Sequence, residues 1–181
     1  MNSWGDQIMD YAVILLFDDE TEYKLGNLIK YLACNKTNNY MIDNKILPHI
    51  TLSLFSASET TAIKHILETN AQKIPKCSIT WASIGAFVPN VLFSAPVINK
   101  QITIANEMAD RFLKPVVDSF NLFYQPNNWV PHTTLATNLT SSELLYAFEI
   151  AVQKFTPLNG FANRVALVEC NPYKEICVWQ L

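Results

Sequence analysis

The chain has 181 residues, half of them apolar, with 12% aromatic residues and only four glycines. This suits one folded domain, or two small lobes sharing a surface, and excludes a disordered or low-complexity chain. A formal net charge of −3, with no run of Lys or Arg, excludes the basic face needed to grip long nucleic acid, so any bound polyanion is short.

Tyr11 to Phe17, "YAVILLF", is a continuous apolar run whose length suits a buried strand. The stretch from Asp19 to Lys36 reads as a helix, with Asp19 and Glu22 as its capping pattern and Leu25, Leu28, Ile29 and Leu32 on one face. A polar loop from Asn35 to Lys45 follows, which either covers a cleft or runs free over the surface. The next strand runs from His49 to about Phe55, and Ser56 to Glu59 reads as a capping box opening a helix to about Ile74. His65 falls on the surface of that helix, and Pro75 ends it.

"CSITWASIGAF" reads as a strand turned at Pro89-Asn90 into "VLFSAPV". From about Asn99 a second helix places Ile102, Ala105, Met108, Ala109 and Phe112 on one face, until Pro115 kinks or stops it. A short strand at His132 precedes a second capping box, Thr140 to Glu143, and a helix to about Phe155 that ends at Pro157. "FANRVALVEC" and "KEICVWQL" are the last strands, joined across Asn171-Pro172-Tyr173.

Two of these strands begin alike: "PHITL" at Pro48 and "PHTTL" at Pro131. With nine prolines and thirteen threonines in 181 positions, Pro before a histidine and Thr two after it coincide with a chance of roughly 0.4%, yet two of the three histidines show it. The motif histidines are 132 − 49 = 83 residues apart, and the same shift carries Ser78 to Phe161 and Val91 to Lys174. The layout is therefore an internal duplication, with approximate repeats over residues 11–90 and 91–181 of a single bilobal domain. A pseudo-two-fold axis would set the two histidines face to face. Because side chains two apart share a strand face, His49 goes with Thr51 and His132 with Thr134, while Ile50 and Thr133 point towards the helices.

Two imidazoles and two hydroxyls suit phosphoryl transfer without a metal. One neutral histidine takes a proton from the attacking water or hydroxyl, the other gives one to the leaving oxygen, and the hydroxyls donate to the non-bridging oxygens. Such a pair predicts a bell-shaped kcat/KM with limbs on either side of neutrality. A zinc reading would rest on the same two histidines, which alone hold zinc weakly.

The paired "HITL" and "HTTL", their separation, the strand-then-capped-helix layout and the chain length resemble the two-histidine (2H) phosphoesterase superfamily, in particular its 2′-5′ RNA ligase (LigT-like) branch. The resemblance spans essentially the whole chain. It implies an α+β fold in which two pseudo-symmetric, antiparallel-rich sheet lobes flank a central cleft, with helices on the outer faces. It also implies cofactor-free catalysis by His49 and His132, with Thr51 and Thr134 on the phosphate. The expected substrate is a 2′,3′-cyclic phosphate or related phosphodiester on a nucleotide or short RNA end. A 2′-5′ RNA ligase or a non-catalytic nucleotide sensor would use the same cleft. With only Arg111 and Arg164 as arginines, the chain departs from RNA-handling members that line the cleft with basic residues. Trp129 and Tyr124, just before the second motif, either stack a base or pack the core and rim.

Cys34, Cys77, Cys170 and Cys177 form no CxxC pair and read as free, buried thiols in a reducing compartment. No basic n-region precedes the first apolar run, which Asp18 to Glu20 cut too short to span a bilayer. The expected protein is a cytoplasmic monomer without a membrane partner.

Overall fold

Seven consecutive apolar residues make strand β1 (Tyr11–Phe17), buried on both faces as such a run requires. In the computed structural model, which describes residues 9–35 and 37–181, β1 pairs antiparallel with β2 (His49–Ser56) on one side and with β7 (Leu158–Cys170) on the other. The second half repeats the arrangement: β4 (Val91–Pro96) lies between β6 (Thr133–Ala136) and β3 (Cys77–Phe87). The central order β2-β1-β7-β3-β4-β6 is thus palindromic, with β5 (Ser119–Phe120) added beside β2 and β8 (Tyr173–Gln180) beside β7.

The symmetry axis falls where β3 meets β7. Ser78 pairs with Phe161, and 161 − 78 = 83, the separation of the two motif histidines. On either side, Cys77 pairs with Ala162 and Ile79 with Gly160, the same pair with the halves exchanged. The two lobe sheets expected from the duplication are therefore halves of one eight-stranded antiparallel sheet, because β3 and β7 hydrogen-bond directly across the axis. At Gly160 a side chain is excluded, since an added Cβ would stand 2.1 Å from the Thr21 hydroxyl.

The helices exchange halves as well. Helix α1 (Asp19–Cys34) packs Leu28, Ile29 and Leu32 with Leu92, Leu135 and Leu144 of the second half. Reciprocally, α4 (Lys100–Leu113) packs Ile102, Ala105 and Ala109 with Ile50, Leu52 and Phe55 of the first. Helix α3 (Thr61–Asn70) joins α4 over β2, and α5 (Ser141–Lys154) joins α1 over β6. Neither half encloses its own core, so the chain buries its apolar faces only when both halves are present.

Several boundaries differ from the sequence reading for local reasons. Helix α1 is capped one residue earlier, by the Asp18 carboxylate accepting from the Thr21 N–H at 2.8 Å, and it ends at Cys34 rather than Lys36. Ser56 to Glu59 is not a capping box. Ser56 still belongs to β2, the Ser58 hydroxyl donates to Asp118 at 2.6 Å, and α3 starts only at Thr61. The second box does form, with the Glu143 N–H donating to the Thr140 hydroxyl and the Glu143 carboxylate accepting from the Thr140 N–H. The loop after α1 contains a short helix, α2 (Tyr40–Asp43), whose Met41 is buried. Pro115 stops α4, which ends at Leu113. All four cysteines are free; Cys34 is exposed, Cys77 is buried and the other two are half-buried. His65 is exposed on α3. Among the described residues no helix is long and apolar enough to cross a membrane.

Candidate active site

The two motif strands are held by equivalent neighbours, Thr51 opposite Ile14 of β1 and Thr134 opposite Phe93 of β4. Their alternation turns Ile50 and Thr133 into the interior, where Thr133 accepts a 3.0 Å hydrogen bond from the Trp81 indole. The other faces converge. His49, Thr51, His132 and Thr134 all line one cleft of about 290 Å³. Its floor is apolar, made by Ala12, Ile14 and Val168.

Each histidine is anchored the same way. His49 Nδ1 lies 2.7 Å from the carbonyl oxygen of Leu47, and His132 Nδ1 lies 2.8 Å from that of Val130. A carbonyl can only accept, so Nδ1 carries the proton and Nε2 of the neutral ring presents a lone pair. The repeated spacing of the motif has a physical basis in this fold. Pro48 and Pro131, both buried, stand between each histidine and its carbonyl; proline fixes its own φ and holds the preceding residue extended. The carbonyl is thereby aimed at the ring two residues on.

The surroundings set the charge of the pair. Burial holds the His49 imidazole below its usual 6.5, with the Leu47 carbonyl acting the other way. Burial likewise pushes His132 down to about 4, against the pull of the Val130 carbonyl, and charge on His49 lowers it further. That effect of His49 on His132 makes the two rings electrostatic neighbours. Held below 6.5, both are neutral at pH 7. A singly protonated pair therefore forms on the acid side of the usual imidazole range.

Aromatic rings complete the walls. Phe87 meets the His132 ring edge-on at 4.8 Å between centroids, and Tyr124 lies 6.2 Å from it. Beside His49, the ring of Tyr173 lies nearly parallel at 6.5 Å. Burial pushes the hydroxyls of Tyr124 and Tyr173 up to about 12, so both remain protonated donors. The Tyr173 hydroxyl is buried with no hydrogen-bond partner among the described residues, and Tyr173 lines the cleft. Cys170, on the same wall, is pushed up to about 12 by burial and then by Asp10 and Glu169, which keeps it a thiol.

Of the two candidate stacking residues, the structure brings Tyr124 to the cleft and leaves Trp129 out of its lining. The Trp129 indole packs against the first-half core and donates its N–H to the Thr51 carbonyl at 3.0 Å, which ties the approach to β6 onto β2. Asn106 makes a second tie, its buried amide donating to Leu52 O at 2.7 Å and Tyr124 O at 2.9 Å. The arginines lie elsewhere. Arg164 binds Glu22 at 2.9 Å and the Phe17 carbonyl, and Arg111 lies over the Phe112 ring. From the loop after α1, Tyr40, Met41 and Ile46 border the cleft. Among the described residues no three His, Cys, Asp or Glu side chains gather as a metal site.

Tyr173 was hidden in the sequence as a turn residue. The duplication did carry a signal for it, since 173 − 83 = 90 and Asn90 lines the neighbouring pocket, so both hairpin turns border the cavities on that side of the sheet.

A profile of the 2′-5′ RNA ligase superfamily matches residues 30–171, a span that includes both His-x-Thr strands and every cleft element but β1 and Tyr173. The chain belongs to the 2′-5′ RNA ligase superfamily. Its fold is that of LigT-like 2H phosphoesterases: E. coli LigT complexed with 3′-AMP superposes with a TM-score of 0.61 at 13% identity, covering 96% of this chain and 98% of that one. A structure described as a phosphoesterase gives 0.59 at 12% identity, covering 97% and 99%, and Kluyveromyces marxianus Usb1 gives 0.50 at 10%, covering 94% and 97%. A search of curated protein sequences finds no match. Superfamily membership makes the protein a phosphoesterase or ligase in the broad sense.

Proposed function

We propose that the protein is a metal-independent phosphoesterase that hydrolyses a 2′,3′-cyclic phosphate, or a related phosphodiester, on a nucleotide or short RNA end. One observation carries the reading: two histidines in one cleft, each held through Nδ1 by a carbonyl two residues upstream, so that both Nε2 atoms are available to the same substrate. One neutral imidazole takes a proton from water as its oxygen attacks phosphorus. The other, protonated by uptake on binding the anion, gives its Nε2 proton to the departing ribose oxygen as the P–O bond breaks. After turnover the two have exchanged protonation states, and exchange with solvent restores the starting pair. Thr51 and Thr134, beside the histidines in the cleft, donate to the non-bridging oxygens as charge gathers there.

The test is turnover of nucleoside 2′,3′-cyclic phosphates in EDTA by wild type, His49→Ala and His132→Ala. Each substitution is expected to lower kcat by about 10²- to 10⁴-fold, with wild type indifferent to the chelator. Equal rates in all three would refute the acid/base pair, and loss of rate on chelation would replace it with a metal. Tight binding of the cyclic nucleotide without turnover would make the protein a sensor instead.

A further inference from the structure

A second cavity of about 430 Å³ opens from the His132 side of the cleft, sharing Leu54, Phe87, Val91, Tyr124 and His132 with it. A group bonded to phosphorus between the histidines has this annex as its neighbouring space. Phe123 and Val130 extend the apolar wall, and both are exposed at the mouth, Val130 by 51%. Asn90, Asn121 and Asn128 supply the polar contribution. The Asn121 side-chain oxygen already accepts from the Phe123 N–H at 3.0 Å, which leaves its amide N–H groups for a ligand. Among the described residues that line the cleft and annex together, there is no Lys, Arg, Asp or Glu.

That lining is unusual for a site that handles phosphate esters. A phosphate between the histidines acquires its counter-charge by proton uptake, since one imidazole becomes cationic. A second phosphate elsewhere on the substrate would meet no such group among the described residues that line the two cavities and would lose hydration without compensation. Aromatic and aliphatic walls with neutral amides suit a flat, uncharged ring carrying hydrogen-bonding edges.

Building on the phosphoesterase reading above, we propose that the substrate carries its charge on the reacting phosphodiester alone, with an uncharged planar base seated in the annex. The favoured compound is a mononucleoside cyclic phosphate with a free 5′-hydroxyl, and 5′-phosphorylated or polyphosphorylated nucleotides are discriminated against.

Binding decides this independently of turnover. By calorimetry, wild type is expected to bind a nucleoside 3′-monophosphate at least about tenfold more tightly than the matching 3′,5′-bisphosphate. It should also bind the monophosphate about 5- to 100-fold more tightly than ribose 3-phosphate, which lacks the base. Asn128→Lys, at the exposed lip of the annex, is expected to improve the bisphosphate relative to the monophosphate about three- to tenfold, the effect of one partly solvated charge at close range. Equal or tighter binding of the bisphosphate by wild type, or of base-free ribose 3-phosphate, would overturn the proposal. If these preferences hold while no cyclic phosphate is hydrolysed, the catalytic reading fails and the annex assignment stands.

Discussion

Asn106 offers the sharpest test of how the fold holds the site. Its side chain is 2% exposed and its amide group donates to two main-chain carbonyls, Leu52 O at the bulge after Thr51 and Tyr124 O behind the cleft aromatic. Asn106→Leu keeps the volume and removes both donors. Each of the two carbonyls left without a donor costs about 1–3 kcal/mol, about 4 kcal/mol for the pair, and the added apolar burial returns about 1–2 kcal/mol, so the net loss is about 2–3 kcal/mol. For a chain of this size, 1 kcal/mol lowers Tm by about 2–4 °C, so melting should fall by roughly 4–12 °C. Since the same amide holds the strand carrying Thr51 and the turn carrying Tyr124, kcat/KM at a temperature where the variant is fully folded should drop about tenfold. Thermal unfolding followed by circular dichroism, with steady-state kinetics on a cyclic nucleotide, measures both. A Tm within about 1 °C of wild type would show that Asn106 does not carry the tie described, and the reasoning would fall.

The lowered histidines predict how stability depends on pH. Both prefer the neutral ring in the folded protein, so their contribution is full above about 6.5 and is lost as pH falls towards about 4, where even buried His132 is charged. Urea midpoints between pH 8 and pH 4 should show this fall, and His132→Gln should flatten part of it; an equally steep fall in the variant would place the cause elsewhere. For the same reason kcat/KM should peak below pH 6.5, whereas kcat, which reports the complex with a bound anion, should peak nearer neutrality; a kcat/KM maximum above pH 7.5 with chemistry rate-limiting would contradict this. Finally, Tyr173→Phe removes only a hydroxyl that is buried beside His49 and unpartnered among the described residues, so it should leave the fold at wild-type stability or slightly above while lowering kcat/KM about three- to tenfold. Unchanged kinetics would assign the hydroxyl no contact with substrate.

Much of the site was legible before the fold was seen, because a strand's faces follow from a period of two. His49 with Thr51, and His132 with Thr134, had to share faces once "PHITL" and "PHTTL" were read as strands, and the 83-residue shift told that they belong together. The Thr140 to Glu143 box was equally readable, since both of its hydrogen bonds lie within four residues. Ser56 to Glu59 has a similar pattern and failed, because pairing with Ser119 keeps Ser56 in the strand.

What only the tertiary structure decided lies in contacts between distant segments. Pairing of Ser78 with Phe161 makes one sheet of two halves, and the exchange of α1 and α4 makes each half's core depend on the other. The indole of Trp129 turned towards the Thr51 carbonyl rather than the cleft, a choice set by a partner 78 residues away. Tyr173 and the uncharged annex arise from turns that meet only across the folded sheet, and the lowered histidines arise from burial that no local pattern states. Sequence periodicity fixes which way a side chain leaves its own strand; which atoms wait there depends on long-range packing, and that packing sets both the charge of the pair and the shape of what it can bind.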